Sequence, residues 1–140
     1  MRWSVDIDGR DLRFLLDTHV VVWTIYEPHR ISSPVRLVLE DPANELLVSH
    51  STLWELLNKV GRGQLRLTTG SVTEVFGRIQ ALGVTLLAVN LDDILAAASL
   101  HHYHSDPFDR MLIAQALAED VPLITVDPEI RQYPVQTIWS

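Results

Sequence analysis

The chain of 140 residues contains no cysteine, which excludes disulfide bonds and thiolate chemistry. This absence fits a reducing compartment, and we expect the protein in the cytoplasm. No apolar run reaches the ~18 residues that a membrane span needs, so we expect no membrane contact. Residues 1–8 carry two acids and no apolar stretch, so we expect no signal peptide there.

Basic residues are also scarce. Eleven Lys and Arg face 18 Asp and Glu, which gives a formal net charge of −7. Nucleic-acid binders usually show a basic footprint, so tight nonspecific DNA binding is not expected, and the acidic balance leaves room for a basic partner segment. Motifs for phosphate cradling or acyl transfer (GxGxxG, a P-loop, GxSxG) are missing.

What is present is an alternation of strand-like and helix-like segments in a chain of single-domain length. This order predicts an α/β fold with a parallel sheet, and we assign residues 1–140 to one domain. Apolar runs predict strands at 12–16, 45–49, 84–89, 122–126 and 135–139. Helices are predicted at 20–26, 33–40, 51–60, 71–82, 91–100 and 107–120. Residues 64–67 resemble a short extended piece, and residues 1–10 an extra edge strand or a mobile extension.

Four acids stand where predicted strands end. Asp17 and Asp127 directly follow strands, and Glu55 and Asp109 lie in the opening turns of predicted helices. Ligands of open α/β sheets bind just beyond the carboxyl ends of the strands. At ~5 Å and an effective dielectric constant of about 20, each carboxylate pair there would cost roughly 3 kcal/mol. Such a cluster persists if it holds a cation, and an all-oxygen site favours Mg²⁺ or Mn²⁺.

The first two acids also have ordinary structural explanations. A capping role alone could explain Asp17, as the N-cap of the helix that follows it. Glu55 can pair with Lys59 four residues later, or it can form a capping box with Thr52. These roles leave an oxygen free on each carboxylate, so they do not exclude cation binding.

The remaining acids sit beside residues that we expect to support them. Asp106 is predicted to cap the helix that begins at Pro107. The helix dipole explains Asp109 only in part. We therefore favour Asp109 as the functional acid and Asp106 as its support. Asp127 precedes a proline and can simply open a turn. Thr125 is a candidate for orienting a neighbouring carboxylate or a bound water.

A group of histidines at first suggests zinc. Their spacing matches no standard zinc motif, and cysteine is absent. We therefore predict that these histidines are solvated, in a loop or at a helix end: His101, His102 and His104.

A few basic residues lie near the predicted site in sequence. Each is a candidate for contacting a phosphate of RNA, and ordinary surface charge is the alternative explanation. The candidates are Lys59, Arg62, Arg66 and Arg110.

Five fragments, in this order, resemble PIN-domain ribonucleases of the VapC type, the toxins of bacterial VapBC toxin–antitoxin pairs. The resemblance covers about residues 14 to 139. The fragments are Leu15-Leu16-Asp17-Thr18-His19; Ser51-Thr52-Leu53-Trp54-Glu55 with Lys59, Gly63 and Leu65; His104-Ser105-Asp106-Pro107-Phe108-Asp109-Arg110 with Ile113-Ala114-Gln115-Ala116; Thr125-Val126-Asp127; and Ile138-Trp139. Two departures from the family pattern are Leu57-Asn58 after the glutamate, and Gln64 where lysine is common.

The resemblance implies a fold, a site and partners. The fold is a PIN-like (Rossmann-like) three-layer sandwich with a central, mostly parallel sheet flanked by helices. The metal-binding and catalytic acids fall on Asp17, Glu55, Asp109 and Asp127, with Mg²⁺ or Mn²⁺ as cofactor. The resemblance further implies endonucleolytic cleavage of RNA, a homodimer, and inhibition by a small VapB-type antitoxin.

From the residues and the resemblance together, we expect a metal-dependent endoribonuclease that cleaves single-stranded or looped RNA as the toxin of a type II pair. The main alternative is a non-enzymatic PIN-like module that binds a regulatory partner. A metal-dependent phosphatase is a third option, but it would call for a DxD motif, which Asp17-Thr18-His19 does not supply.

Overall fold

The computed structural model describes residues 12–64 and 70–140. Five strands form one sheet in the order β3-β2-β1-β4-β5, and every pairing is parallel. They are β1 (Arg13–Leu16), β2 (Glu45–Ser49), β3 (Thr85–Leu87), β4 (Leu123–Ile124) and β5 (Thr137–Ile138). The α-helices are α1 (Thr18–Tyr26), α2 (Ser33–Glu40), α3 (His50–Gly61), α4 (Val72–Ala81), α5 (Leu91–Ser99) and α6 (Pro107–Glu119). Short 3-10 helices span Pro28–Arg30 and Ile130–Gln132.

The central strand β1 marks the point where the order of the sheet reverses. Leu15 pairs with Leu47 of β2 on one side and with Leu123 of β4 on the other. The chain first builds outward from β1 to β3 and then returns to add β4 and β5 on the opposite side. In doubly wound sheets this reversal opens a crevice at the carboxyl ends of the two strands, where ligands bind.

Two cores cover the two faces of the sheet, because successive strand side chains point to opposite faces. Phe14 and Leu16 pack with apolar residues of α1, α2, α3 and α4. Leu15, between them, packs on the other face with Leu112 and Ile113 of α6. Helix α5 packs against α6. The predicted α/β sandwich with a central parallel sheet is therefore confirmed, in three layers.

Some element boundaries differ from the sequence prediction for local reasons. Helix α3 begins at His50 because Ser49, the last residue of β2, accepts a hydrogen bond from the Ser51 amide at 3.0 Å. The helix therefore begins one residue before the predicted range of 51–60. Strands β3, β4 and β5 are shorter than their predicted apolar runs; Val135, for example, packs against the core without joining the ladder.

Several expectations lie outside the described residues. These are the extra edge strand or extension at residues 1–10, the phosphate contact of Arg66, and most of the extended piece at residues 64–67. Among the helices of the described ranges, none is both long enough and apolar enough to cross a membrane.

Candidate functional site

Asp17 lies at the reversal point of the sheet, immediately after β1. Its side chain is only 2% exposed, and its Oδ2 accepts a hydrogen bond from the Thr125 hydroxyl at 2.6 Å. Thr125 follows β4, so this bond crosses from one strand end to the next. Although Asp17 occupies the N-cap position of α1, its side chain makes no capping bond. Its Oδ1 is buried without a hydrogen-bond partner among the described residues, so capping alone does not explain this carboxylate.

Asp109 is brought to the same edge by the start of α6. Asp106 caps this helix as predicted, accepting hydrogen bonds from the amides of Phe108 at 2.8 Å and Asp109 at 3.2 Å. Burial, followed by the negative charges of Asp17 and Asp106, raises the pKa of Asp109 to about 7. Asp109 and Asp17 thus lie close enough to repel each other in a poorly solvated setting.

His104 connects Asp109 to Asp127. Its Nε2 lies 3.0 Å from Asp109 Oδ2 and 2.9 Å from Asp127 Oδ2. The prediction that His104 is solvated is wrong: the side chain is buried, whereas His101 and His102 are exposed as expected.

Asp127 combines a turn with a place in the site. Its Oδ1 accepts the Glu129 amide at 2.9 Å, so the predicted turn is present. Its own amide donates to the Thr125 hydroxyl at 3.1 Å. Thr125 therefore bonds both Asp17 and Asp127, and the predicted contact of Thr125 with a neighbouring carboxylate is found.

The electrostatics of the cluster follow from burial and like charge. Burial raises the pKa of Asp17, against the Thr125 hydrogen bond, which lowers it. For His104, burial acts to lower the pKa, but the hydrogen bond with Asp127 and the charge of Asp109 outweigh it, so its pKa is raised. Without a bound cation, the cluster therefore holds protons more tightly than the same side chains do in water.

Glu55 lies in α3, two turns from its N-terminal end at most, and its described ion pair is with a residue of its own helix. The hydroxyl of Thr18, at the start of α1, donates to that of Thr52, in the first turn of α3, at 3.1 Å, and Glu55 follows one helical turn later. Its Oε2 pairs with Lys59 Nζ at 3.2 Å, as the structural explanation predicts. Its Oε1 is buried without a hydrogen-bond partner. Within the described residues, no hydrogen bond or ion pair joins Glu55 to the aspartates.

Arg110 corrects another expectation. It was a candidate for contacting RNA or for ordinary surface charge, and it is neither, because the residue is only 7% exposed. Its guanidinium donates to four backbone carbonyls, those of Ala97, Leu100, His101 and His104. Lys59 and Arg62 are exposed on and just after α3, so they remain accessible to a ligand.

The donor set at this edge fits a divalent cation. Among the described residues, Asp17 and Glu55 each keep one buried carboxylate oxygen without a hydrogen-bond partner. Asp109 lies close to other negatively charged carboxylates. In the described ranges, one group of three has ligand atoms all within 4.8 Å of one another: His104, Asp127 and Glu129. The edge therefore offers hard oxygen donors in excess of their internal hydrogen bonds.

Comparison with known proteins agrees with this architecture. A family model described as "PIN domain" matches residues 14–136. Ribonuclease VapC22 of Mycobacterium tuberculosis is 29% identical over 132 residues, which cover 89% of this chain and 97% of that protein.

Solved structures show the same fold. The crystal structure of VapBC2 from Rickettsia felis, bound to a DNA fragment from its promoter, has a TM-score of 0.68 at 16% identity and covers 92% of this chain and 100% of that one. DNA-bound VapBC from Salmonella typhimurium gives a TM-score of 0.69 at 15% identity, covering 91% and 97%. Because the family model spans most of the chain and the parallel sheet agrees with these structures, the chain belongs to the PIN domain family.

Proposed function

We propose that this protein is a metal-dependent endoribonuclease and the toxin of a type II toxin–antitoxin pair. The observation that carries the proposal is the meeting of Asp17, Asp109 and Asp127 at the reversal point of the sheet, with a buried oxygen of Asp17 left unpartnered. The likeness to a protein named as a ribonuclease supports the choice of RNA as substrate.

The cation that suits these donors is Mg²⁺ or Mn²⁺. Asp17, Asp109 and Asp127 would hold it, and Glu55 would either bind it or orient the attacking water. Hard divalent ions prefer carboxylate oxygens, which are the main donors here. The bound cation supplies positive charge at the scissile phosphate and makes a nearby water a better nucleophile.

The chain's own residues prepare this site before substrate arrives. Thr125 fixes the orientation of Asp17 and of the turn that carries Asp127. Asp106 fixes the first turn of α6 and with it Asp109. Asp127 holds its turn through the Glu129 amide. These bonds keep the carboxylates in place despite their mutual repulsion, so little rearrangement is needed on binding.

RNA would approach along the exposed surface beside α3. Lys59 and Arg62 are the described basic residues that we assign to phosphate contacts, and Arg66 is a further candidate from the sequence. A single-stranded or looped segment can bring its backbone to a recessed acidic site, whereas a rigid A-form duplex cannot follow the same path.

Partner binding is proposed from charge and exposed apolar surface. Leu91, Ile94 and Leu95 on α5 are 68%, 50% and 57% exposed, which supports a homodimer. The net charge of −7 suits a basic segment of a VapB-type antitoxin. We further propose that the protein acts in the cytoplasm, where an RNA substrate is available.

The test is degradation of total RNA by purified, antitoxin-free protein. Mg²⁺ or Mn²⁺ should support cleavage, excess EDTA should stop it, and Asp17→Asn should be inactive. Cleavage that persists in excess chelator would rule out this chemistry. If the folded, metal-loaded wild-type protein does not cleave RNA, the non-enzymatic partner-binding module is the better description.

A further inference from the structure

We infer that His104 is a positioning residue of the acidic site: one ring nitrogen holds Asp109 and Asp127, which come from different elements, in the arrangement that binds the cation. This inference rests on the proposed function, because the cation site is the one proposed there. It adds a residue that the four-acid description leaves out and assigns it a defined hydrogen-bonding task.

The first support is the geometry of the two contacts. His104 Nε2 is hydrogen-bonded to Asp127 Oδ2 at 2.9 Å and lies 3.0 Å from Asp109 Oδ2, within ion-pair distance. Asp109 belongs to the first turn of α6, and Asp127 follows β4. One imidazole nitrogen in contact with carboxylates of two elements holds those elements together at the site.

The second support is the orientation of the imidazole ring. The Asp106 amide donates to His104 Nδ1 at 3.2 Å, which leaves Nε2 as the nitrogen that carries the hydrogen. Glu129 Oε2 lies 3.5 Å from Nδ1, and its side chain is more than half exposed. The hydrogen bond from the Asp106 amide therefore orients Nε2 toward the site, where it donates to Asp127 and lies beside Asp109.

The third support is the way the backbone of His104 is held. Its amide donates to the Tyr133 hydroxyl at 3.0 Å, and its carbonyl accepts from Arg110 at 3.3 Å. The Tyr133 hydroxyl in turn donates to the His101 carbonyl at 2.6 Å. Two buried side chains thus fix the loop at His104, while His102, two residues earlier, is exposed. This arrangement prevents the ring from following small movements of the carboxylates.

The physical consequence is a pre-formed pair of cation ligands. Without His104 between them, Asp109 and Asp127 would repel each other and separate until a cation drew them together. Residues that orient metal ligands typically contribute about 10- to 100-fold to metal affinity or activity. We expect His104 to act in this way on both cation binding and cleavage.

The test compares His104→Leu, His104→Gln and the exposed control His102→Leu. Mn²⁺ binding is titrated by electron paramagnetic resonance of the free ion, and RNA cleavage is measured in parallel, after circular dichroism has shown that each variant is folded. His104→Leu should weaken Mn²⁺ binding about 10-fold or more and slow cleavage about 10- to 100-fold. His104→Gln keeps an N–H near the position of Nε2, so it should recover most of both, and His102→Leu should match the wild type.

Two results would overturn the inference. One is a folded His104→Leu protein that binds Mn²⁺ and cleaves RNA like the wild type. The other is a folded His104→Gln protein as impaired as His104→Leu, because an N–H donor at this position would then not be the relevant feature. If the wild type binds Mn²⁺ but cleaves no RNA, the proposed function fails, and the Mn²⁺ titration still decides the role of His104.

Discussion

At the scale of single residues, Asp17 shows most clearly a conflict between stability and function. A carboxylate that is 2% exposed loses most of its hydration, and only one of its oxygens is hydrogen-bonded, to Thr125. A buried polar atom without a partner is costly in a folded protein. Such a residue is therefore explained better by a ligand than by its contribution to the fold.

Replacement of Asp17 by Asn should separate these two effects. The amide oxygen can still accept from Thr125, but the negative charge is lost, so we expect RNA cleavage to fall at least about 100-fold. The free energy of unfolding should stay the same or rise by about 1 kcal/mol, because a buried charge is removed. Cleavage assays and urea unfolding measure the two quantities. Asp92→Asn, on the exposed surface of α5, is the matched control, and full activity of Asp17→Asn would contradict the metal-site proposal.

At the scale of elements, the buried Arg110 joins α6 to the end of α5. Its guanidinium bonds the carbonyls of Ala97 and Leu100 at the C-terminal end of α5, and those of His101 and His104 in the loop that follows. The last carbonyls of a helix lack the full set of intrahelical donors, so the arginine adds to the C-cap of α5, where the Leu100 amide also donates to Ala97. It also holds the loop that presents His104 to the aspartates.

Arg110→Met should therefore destabilise the fold. The apolar stem is kept while four carbonyls lose the guanidinium. The Ala97 carbonyl keeps the Leu100 amide and the His101 carbonyl keeps the Tyr133 hydroxyl, and we expect the free energy of unfolding to drop by about 3 kcal/mol. Urea unfolding measures the change, and Arg131→Met, at an exposed arginine, is the control. A drop no larger than that of the control would mean that the carbonyls are satisfied without Arg110.

Elements were predictable where a local pattern defines them. The five strands follow from apolar runs, and the cap of α5 follows from Asn90 with Asp93 three residues later. The burial of Arg110 and His104 was not predictable, because it depends on carbonyls and carboxylates supplied by other elements. The placement of Asp17 and Asp127 at one edge followed from their positions after strands, and that of Asp109 from its place in the opening turn of a predicted helix. Whether Glu55 reaches them depends on how α3 packs.

At the scale of the whole molecule, the parallel sheet gathers negative charge at its carboxyl edge. The pKa of Asp109 is raised from 3.8 to about 7, chiefly by burial and the charge of Asp17, and the pKa of Asp17 is also raised. Between pH 3.8 and about pH 7, the folded, metal-free protein therefore binds protons more tightly than the unfolded chain does. Linkage then requires the stability of the metal-free protein to fall as the pH rises through this range.

We expect the free energy of unfolding of the metal-free protein to decrease by about 3 kcal/mol between pH 4.5 and pH 7.5. The raised pKa of His104 acts in the same direction, since its contribution is present below its ordinary value of 6.5 and is lost as the pH rises through the folded value. Urea unfolding in chelator across this range measures the trend. Stability that increases steadily with pH would show that the acids are not buried together.

Added Mg²⁺ should reverse this loss at the higher pH. A cation competes with protons for the carboxylates, so it should raise the melting temperature more at pH 7.5 than at pH 5. Thermal unfolding with and without Mg²⁺ at both pH values measures the difference, and the Asp17→Asn protein should respond much less. An equal response of wild type and variant would place the ion elsewhere.

The central claim is that side chains distant in sequence form one cation site at the reversal point of the sheet. The most direct measurement is a crystal structure of the protein soaked with Mn²⁺, in which anomalous scattering locates the ion. We predict an ion in direct contact with the carboxylates of Asp17 and Asp109, with Asp127 beside it. Mn²⁺ that is absent from this edge, or bound without Asp17 and Asp109, would contradict the account.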